Sequence, residues 1–296
     1  MNFDELMALT QQLNATTETL AAIAAELRVQ SENLTPHPEV RRLLKSIADR
    51  SGVGTLSGVS QEQKHAAVAI IRAFFKQAAD LIERPDAELA WTYDDPVVLQ
   101  SQGRASMIVA ALIRKIGLSL EGFDARMSSA DAAFLDIGTG VAWLAVAMVR
   151  TFPRLRVVGI DTWGAALALA RQNVQEASLG HAIELRREDA TAIEDVDAYD
   201  LAWVPGPFLP REIVPDVVTR THRAMRRNGW VVFGLYASPD EVLAQELLQL
   251  RVLRSGGYPW STADAEAMLK EHGFVNVHTP ERTWQAPMVF VIGQKS

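Results

Sequence analysis

The sequence has 296 residues, 48% of them hydrophobic and 22% charged, ordinary values for a globular protein with a sizeable core. It contains no cysteine, which excludes a disulfide framework, thiolate-held zinc or iron–sulfur clusters and a thiol nucleophile. A net charge of -7 argues against a large nucleic-acid footprint, which needs a basic face to displace the counterions of phosphate.

The N-terminus carries Asp4 and Glu5 rather than a basic run, and no stretch of eighteen apolar residues follows, so the chain reads as soluble and cytoplasmic, without a membrane partner. From Met1 to about Arg126 the apolar residues recur at helical spacing. The first helix repeats Leu6, Leu9, Leu13, Thr16, Leu20, Ile23 and Leu27 at steps of three and four, a narrow seam that packs either on a neighbouring helix or on a second copy in a homodimer. Pro36 and Pro38 break it, a short helix spans about 39–49, and a Gly/Ser-rich link runs from Ser51 to Ser60. Ser60 and Gln63 form a capping box for a helix reaching about Glu83, apolar almost all round and therefore expected to be buried. Asp95 as N-cap and Pro96 at the first helical position open another, running to about Ile116. Beyond Ala132 short apolar runs alternate with helices, the pattern of a parallel sheet with crossovers. The strands read at 133–137, 156–160, 183–187, 201–204 and 230–235. After a helix at about 262–272, strands at 275–279 and 287–292 close the chain as a hairpin, which makes the last strand antiparallel.

The strongest chemical signal is Phe134-Leu135-Asp136-Ile137-Gly138-Thr139-Gly140, a strand running into a glycine-rich turn before a helix. Glycines there let the backbone turn tightly and let a ligand approach it. Dinucleotide enzymes use a similar turn with a third glycine, but Trp143 holds that place here. Asp136 puts a carboxylate at the strand end, where it attracts a cationic amino group and repels a pyrophosphate; this favours S-adenosylmethionine over NAD. The next strand ends at Asp161, about 20 residues beyond the loop, the spacing at which an acid reaches ribose hydroxyls.

Over about Ala132 to Gln294 the chain resembles the class I, Rossmann-like S-adenosylmethionine-dependent methyltransferases of small-molecule type. The resemblance rests on Asp136-Ile137-Gly138-Thr139-Gly140, Asp161, Glu188-Asp189-Ala190, Tyr199-Asp200-Leu201, Gly229-Trp230 and Glu271-His272-Gly273-Phe274. It implies an α/β fold with a seven-stranded Rossmann-like sheet and a C-terminal antiparallel hairpin in residues 127–296, preceded by an all-helical cap or dimerisation domain in residues 1–126. It also implies that the backbone of Gly138–Gly140 holds the methionine portion, Asp161 the ribose and Asp189 the adenine amino group, with Trp163 packed on the adenine. Thr139, Thr162, Ala190 and Val204 stand beside these positions and complete the set, with S-adenosylhomocysteine as product. Asp189 as a turn N-cap and Trp163 as ordinary core are the alternatives.

The segment Val204-Pro205-Gly206-Pro207-Phe208-Leu209-Pro210 has no ionisable side chain. It departs from the family's nucleic-acid amine methylators, with their acidic or Asn residue, two prolines and an aromatic at this place, and from metal-dependent catechol-type members, which carry an acid there. No metal and no nucleic acid are therefore expected. Gly103 in a polar stretch of the 95–116 helix suggests a close approach, and Arg104 is either a ligand of the cofactor carboxylate or a solvated-face cation. Trp91, Tyr93, Phe208 and Tyr236 are candidates for the acceptor pocket, since aromatics make rigid apolar walls with polar tips; each is otherwise core. No general base stands out. His222 is expected to face solvent or a helix C-terminus, and His65 lies on the buried-looking helix. The reading is metal-independent methylation of oxygen or nitrogen on a small-molecule acceptor. A protein or tRNA methyltransferase and a cofactor-binding scaffold without transfer activity are the rivals.

Overall fold

The structure, a computed structural model, describes residues 1–52 and 58–296; the centre of the Gly/Ser-rich link, 53–57, lies outside the described residues. Two compact units emerge, Met1–Pro85 with Gln100–Ala105, and Asp86–Leu99 with Ser106–Ser296.

The first unit is helical: α1 (Phe3–Ser31), α2 (Pro38–Arg50) and α3 (Gln61–Glu83). Capping boxes Asn2/Glu5 and Ser60/Gln63 satisfy the free N–H groups at the starts of α1 and α3. Only the C-terminal part of α1 is buried, through Ala24, Leu27 and Val29. Beside them the buried Glu26 carboxylate accepts from Arg41 at 2.7 Å, which offsets the cost of taking that charge out of water. Leu6, Leu9, Leu13 and Leu20, the other end of the predicted seam, are exposed. The expectation of a fully buried α3 fails: Val68, Ala69 and Ala73 are buried, whereas Ile82 is 81% exposed and Ile70 and Phe74 are also open. The helix is covered along one side, where α1 lies, so its apolar circumference exceeds its contact.

The helix predicted to run unbroken to Ile116 is two, α4 (Pro96–Ser106) and α5 (Ile108–Gly117). Asp95 caps α4 as expected, its carboxylate accepting from the Val97 N–H at 2.8 Å. Residues 100–105 belong to the first unit, while Val109, Leu112, Ile113 and Ile116 enter the core of the second. A short α6 (Phe123–Met127) follows, unforeseen from periodicity because it is little more than one turn.

The second unit is a seven-stranded sheet with the order β3-β2-β1-β4-β5-β7-β6. Its strands are β1 (Ala133–Ile137), β2 (Arg156–Asp161), β3 (Ile183–Arg187), β4 (Tyr199–Pro205), β5 (Met225–Tyr236), β6 (Phe274–His278) and β7 (Met288–Lys295). The first five pair in parallel and β7 runs antiparallel between β5 and β6, as the closing hairpin predicts. Between the strands lie α7 (Trp143–Thr151), α8 (Gly164–Glu176), α9 (Val214–Ala224), α10 (Val242–Arg254) and α11 (Thr262–Glu271). One face packs on α5, α7 and α8, the other on α9 and α11. Central β4 is buried at all seven positions, and beyond Asp200 it reads as an apolar run over 201–205.

Strand β5 starts at Met225, five residues ahead of the sequence reading, because it re-enters the ladder across a bulge at Tyr199/Leu201. At that end of the sheet the fully buried Asp200 accepts from the Ala133 N–H at 2.9 Å, from Arg226 at 2.8 Å and from Arg126, tying the starts of β1, β4 and β5 together. Among the described residues, no helix is long and apolar enough to cross a membrane.

Candidate active site

The chain order β3-β2-β1-β4 reverses direction at β1, and in such sheets a crevice opens at the carboxyl ends of the strands on either side of the reversal. The glycine-rich turn lies there. Gly138 and Gly140 have φ of 64° and 54°, left-handed values that side chains resist, and a Cβ on Gly138 would meet Pro205 of β4 at 3.3 Å. Thr139 turns inward: its N–H donates to the Ile160 carbonyl at 3.0 Å and its hydroxyl to Asp136 Oδ2 at 2.7 Å.

Asp136 is 1% exposed. Burial pushes its carboxyl up to about 7; the Thr139 hydroxyl opposes this and the nearby Asp161 charge adds to it. Asp161 has a bridging role. Oδ2 accepts from the Gly140 N–H and Oδ1 from the Trp163 N–H, both at 2.8 Å, so one carboxylate joins the β1 turn to the start of α8. Its pKa is raised, first by burial, against these backbone hydrogen bonds. The main-chain carbonyl of Asp161 also accepts from Glu188 N–H at 3.1 Å, which draws the end of β3 to the same edge. Exposed Asp189 caps a 3-10 turn at Ala190–Ala192, one oxygen accepting from both the N–H and the hydroxyl of Thr191 at 2.8 Å. This is the N-cap geometry that stood as its alternative, and the second oxygen is not engaged by that turn. Thr162 is exposed, Ala190 is buried, and the Val204 side chain is fully buried in the core. Arg104 is exposed, near the end of α4 in the first unit.

The four aromatic candidates come together. Half-buried Trp91 and Tyr93 arrive from the segment before α4, Phe208 from the turn after β4 and Tyr236 from the end of β5. Ring centroids are 5.1 Å apart for Tyr93–Trp91, 5.9 Å for Trp91–Phe208 and 6.3 Å for Phe208–Tyr236, all edge to face. Trp163 extends the row towards the glycine turn, its indole N–H donating to the Tyr93 carbonyl at 3.1 Å. The result is an aromatic row from Tyr93 to the end of β5, with Trp163 tied to it through the Tyr93 carbonyl.

His222 corrects its expected place. It is half-buried, its ring edge to face with Phe274 at 4.9 Å, and burial lowers its pKa. Nε2 lies buried without a protein hydrogen-bond partner. His222 sits in the last turn of α9, at the opposite end of the sheet from the glycine turn. His65 is half-buried on α3. One residue of the site escaped the sequence reading. Asn173, buried in α8, donates to the Val141 carbonyl at 2.8 Å and pins the exit of the glycine turn. Little in the sequence marked it, since Asn173 stands among Gln172 and Gln175 at the polar end of an Ala- and Leu-rich helix. Among the described residues, no three His, Asp or Glu side chains stand together as metal ligands.

A methyltransferase-domain family model matches residues 134–229. The release factor glutamine methyltransferase of Caulobacter vibrioides is 30% identical over 161 residues, 50% of this chain and 52% of that protein. The chain thus spans about half the length, or less, of the curated relatives it matches. Among solved structures, an O-methyltransferase family protein from Burkholderia thailandensis superposes with a TM-score of 0.67 at 14% identity, covering 100% of this chain and 98% of the other. Human N-acetylserotonin methyltransferase, solved in complex with S-adenosylmethionine, gives 0.62 at 14% identity with all of both chains covered. Residues 134–229 match a methyltransferase domain, and the chain as a whole shares the fold of the methyltransferases it superposes on.

Proposed function

We propose that this chain is a cytoplasmic, metal-independent enzyme that transfers the methyl group of S-adenosylmethionine to an oxygen or nitrogen of a small-molecule acceptor. The observation that carries the reading is the aromatic wall of Tyr93, Trp91, Phe208 and Tyr236, tied through the Tyr93 carbonyl to Trp163 beside the glycine turn. Such a wall binds a discrete, largely apolar acceptor by shape.

The residues present fit the cofactor. Left-handed glycines leave the backbone open to its methionine portion, Asp136 supplies negative charge for its ammonium group, Asp161 has lone pairs left for ribose hydroxyls, and the second oxygen of Asp189 faces no demand from its own turn. The cofactor supplies an already activated sulfonium methyl. The protein's task is then to hold the acceptor in line and keep water out. Absence of an ionisable side chain from Val204 to Pro210 supports a reaction that needs no metal ligand there. We also propose that residues 1–126 serve acceptor selection and dimerisation, with 127–296 binding the cofactor. Exposed Leu6, Leu9, Leu13 and Leu20 of α1 support pairing with a second copy.

A second reading, methylation of a protein side chain, draws on the Caulobacter vibrioides likeness. Against it, the turn after β4 lacks a polar side chain to hold an amide. Calorimetric titration with S-adenosylmethionine, S-adenosylhomocysteine and NAD comes first. Binding of the adenosyl compounds near -8 kcal/mol, a micromolar constant, with none for NAD, is expected. Labelled methyl transfer to a panel of phenols and arylamines, set beside release-factor peptides, then separates the two acceptor classes. Silence from both adenosyl compounds would overturn the enzyme reading and leave a scaffold.

A further inference from the structure

Helix α10 ends on a Gly-Gly step. The N–H of Gly256 donates to the Leu253 carbonyl at 2.9 Å and that of Gly257 to Val252 at 3.2 Å, with Gly256 at φ 76°, the left-handed close of a helix whose Val252 is buried. The step is therefore held firmly from behind. Tyr258 and Trp260 hold it from the other side, Trp260 packing edge to face on Phe233 in the core.

Each glycine presses on a different piece of backbone. A Cβ on Gly256 would lie 2.9 Å from Ala90 Cα and 3.3 Å from Trp91 N. A Cβ on Gly257 would lie 1.8 Å from the Pro207 carbonyl oxygen, 2.4 Å from its carbon and 3.0 Å from Phe208 N. The two backbones so touched carry Trp91 and Phe208, the central pair of the aromatic wall. We infer that Gly256 and Gly257 are specificity-determining positioning residues, a wedge one bare peptide thick that sets the gap between Trp91 and Phe208; the inference rests on the wall being the acceptor wall. A methyl group at 257 meets main chain rather than a flexible side chain. Pro207 and Phe208 must then retreat by about 1.5 Å to reach ordinary contact, a displacement large enough to unmake a fitted aromatic site.

The test uses the full chain saturated with S-adenosylhomocysteine, and 2-naphthol as a flat aromatic probe measured by equilibrium dialysis. Wild-type protein should bind both. Gly257→Ala should keep S-adenosylhomocysteine affinity within about twofold and lose 2-naphthol affinity by about 10-fold or more. Phe208→Ala, which removes the ring and leaves the wedge alone, should show the same split. Should Gly257→Ala not fold, Gly256→Ala, with its milder 2.9 Å contact, carries the test with the same expected split. Unchanged 2-naphthol binding in the folded glycine variant overturns the inference, as does a parallel loss of both affinities, which would make the step general packing. Wild-type protein that binds S-adenosylhomocysteine but not 2-naphthol overturns the wall and the wedge while leaving the cofactor reading intact. Failure to bind S-adenosylhomocysteine at all sinks the enzyme reading instead.

Discussion

Asp136→Asn should make the protein more stable at neutral and alkaline pH while weakening its cofactor site. The carboxyl has an ordinary value of 3.8 and is pushed up to about 7 in the fold, chiefly by burial. Below pH 3.8 it is protonated in both folded and unfolded chains and costs nothing. Between 3.8 and 7 the unfolded chain ionises and the folded one resists, so stability falls as pH rises; above 7 the loss is complete. At 1.36 kcal/mol per unit, the full penalty is on the order of 4 kcal/mol. Asparagine keeps an oxygen to accept from the Thr139 hydroxyl and carries no charge at any pH, so the penalty vanishes. Urea unfolding of both proteins at pH 5, 6, 7 and 8 measures this directly. The stability advantage of the variant should widen by a few kcal/mol across that range and then level off. A difference that stays flat with pH would show that the buried carboxyl does not titrate there and would refute the argument. Because a bound ammonium group favours the ionised form, the same variant should bind S-adenosylmethionine more weakly.

Removing the Asp161 carboxylate takes partners from the Gly140 and Trp163 N–H groups as well as from a ribose. Asp161→Ala should therefore weaken S-adenosylhomocysteine binding by about 1–3 kcal/mol; a wild-type affinity by calorimetry counts against both roles. Asp200→Ala strands Arg126, Arg226 and the Ala133 N–H, and should cost about 3–5 kcal/mol in urea unfolding. A loss below about 1 kcal/mol would mean that water replaces the carboxylate freely. Leu9→Lys with Leu13→Lys should turn a dimer into a monomer in sedimentation, since charge in an apolar seam opposes pairing. Wild-type protein already monomeric at high concentration would remove the seam from the interface.

Periodicity and capping chemistry, both local, made much of this architecture legible in the sequence. The switch from helical spacing to short apolar runs near Ala132 marked the sheet, the Ser60/Gln63 pair and Asp95-Pro96 marked two helix starts, and the closing pair of strands fixed the direction of β7. The glycine turn, Asp136 and Asp161 were legible for a related reason: a strand end followed at once by glycines constrains its own surroundings. Exposure was not legible. The apolar surface of α3 says what it prefers to cover, not how much partner surface reaches it, and nothing in the helical pattern from Asp95 to Ile116 marks the break at Met107.

From the sequence by itself came the alternation of strands and helices beyond Ala132, the antiparallel closing strand and the residue types of the glycine turn, because these follow from short-range spacing. Only the tertiary structure decided that Trp91, Tyr93, Phe208 and Tyr236 form one wall, that Asn173 pins the glycine turn, that His222 turns inward and that Gly257 presses on Pro207. Those contacts join residues far apart along the chain. Their geometry is set by how packed elements meet, and no local preference records it.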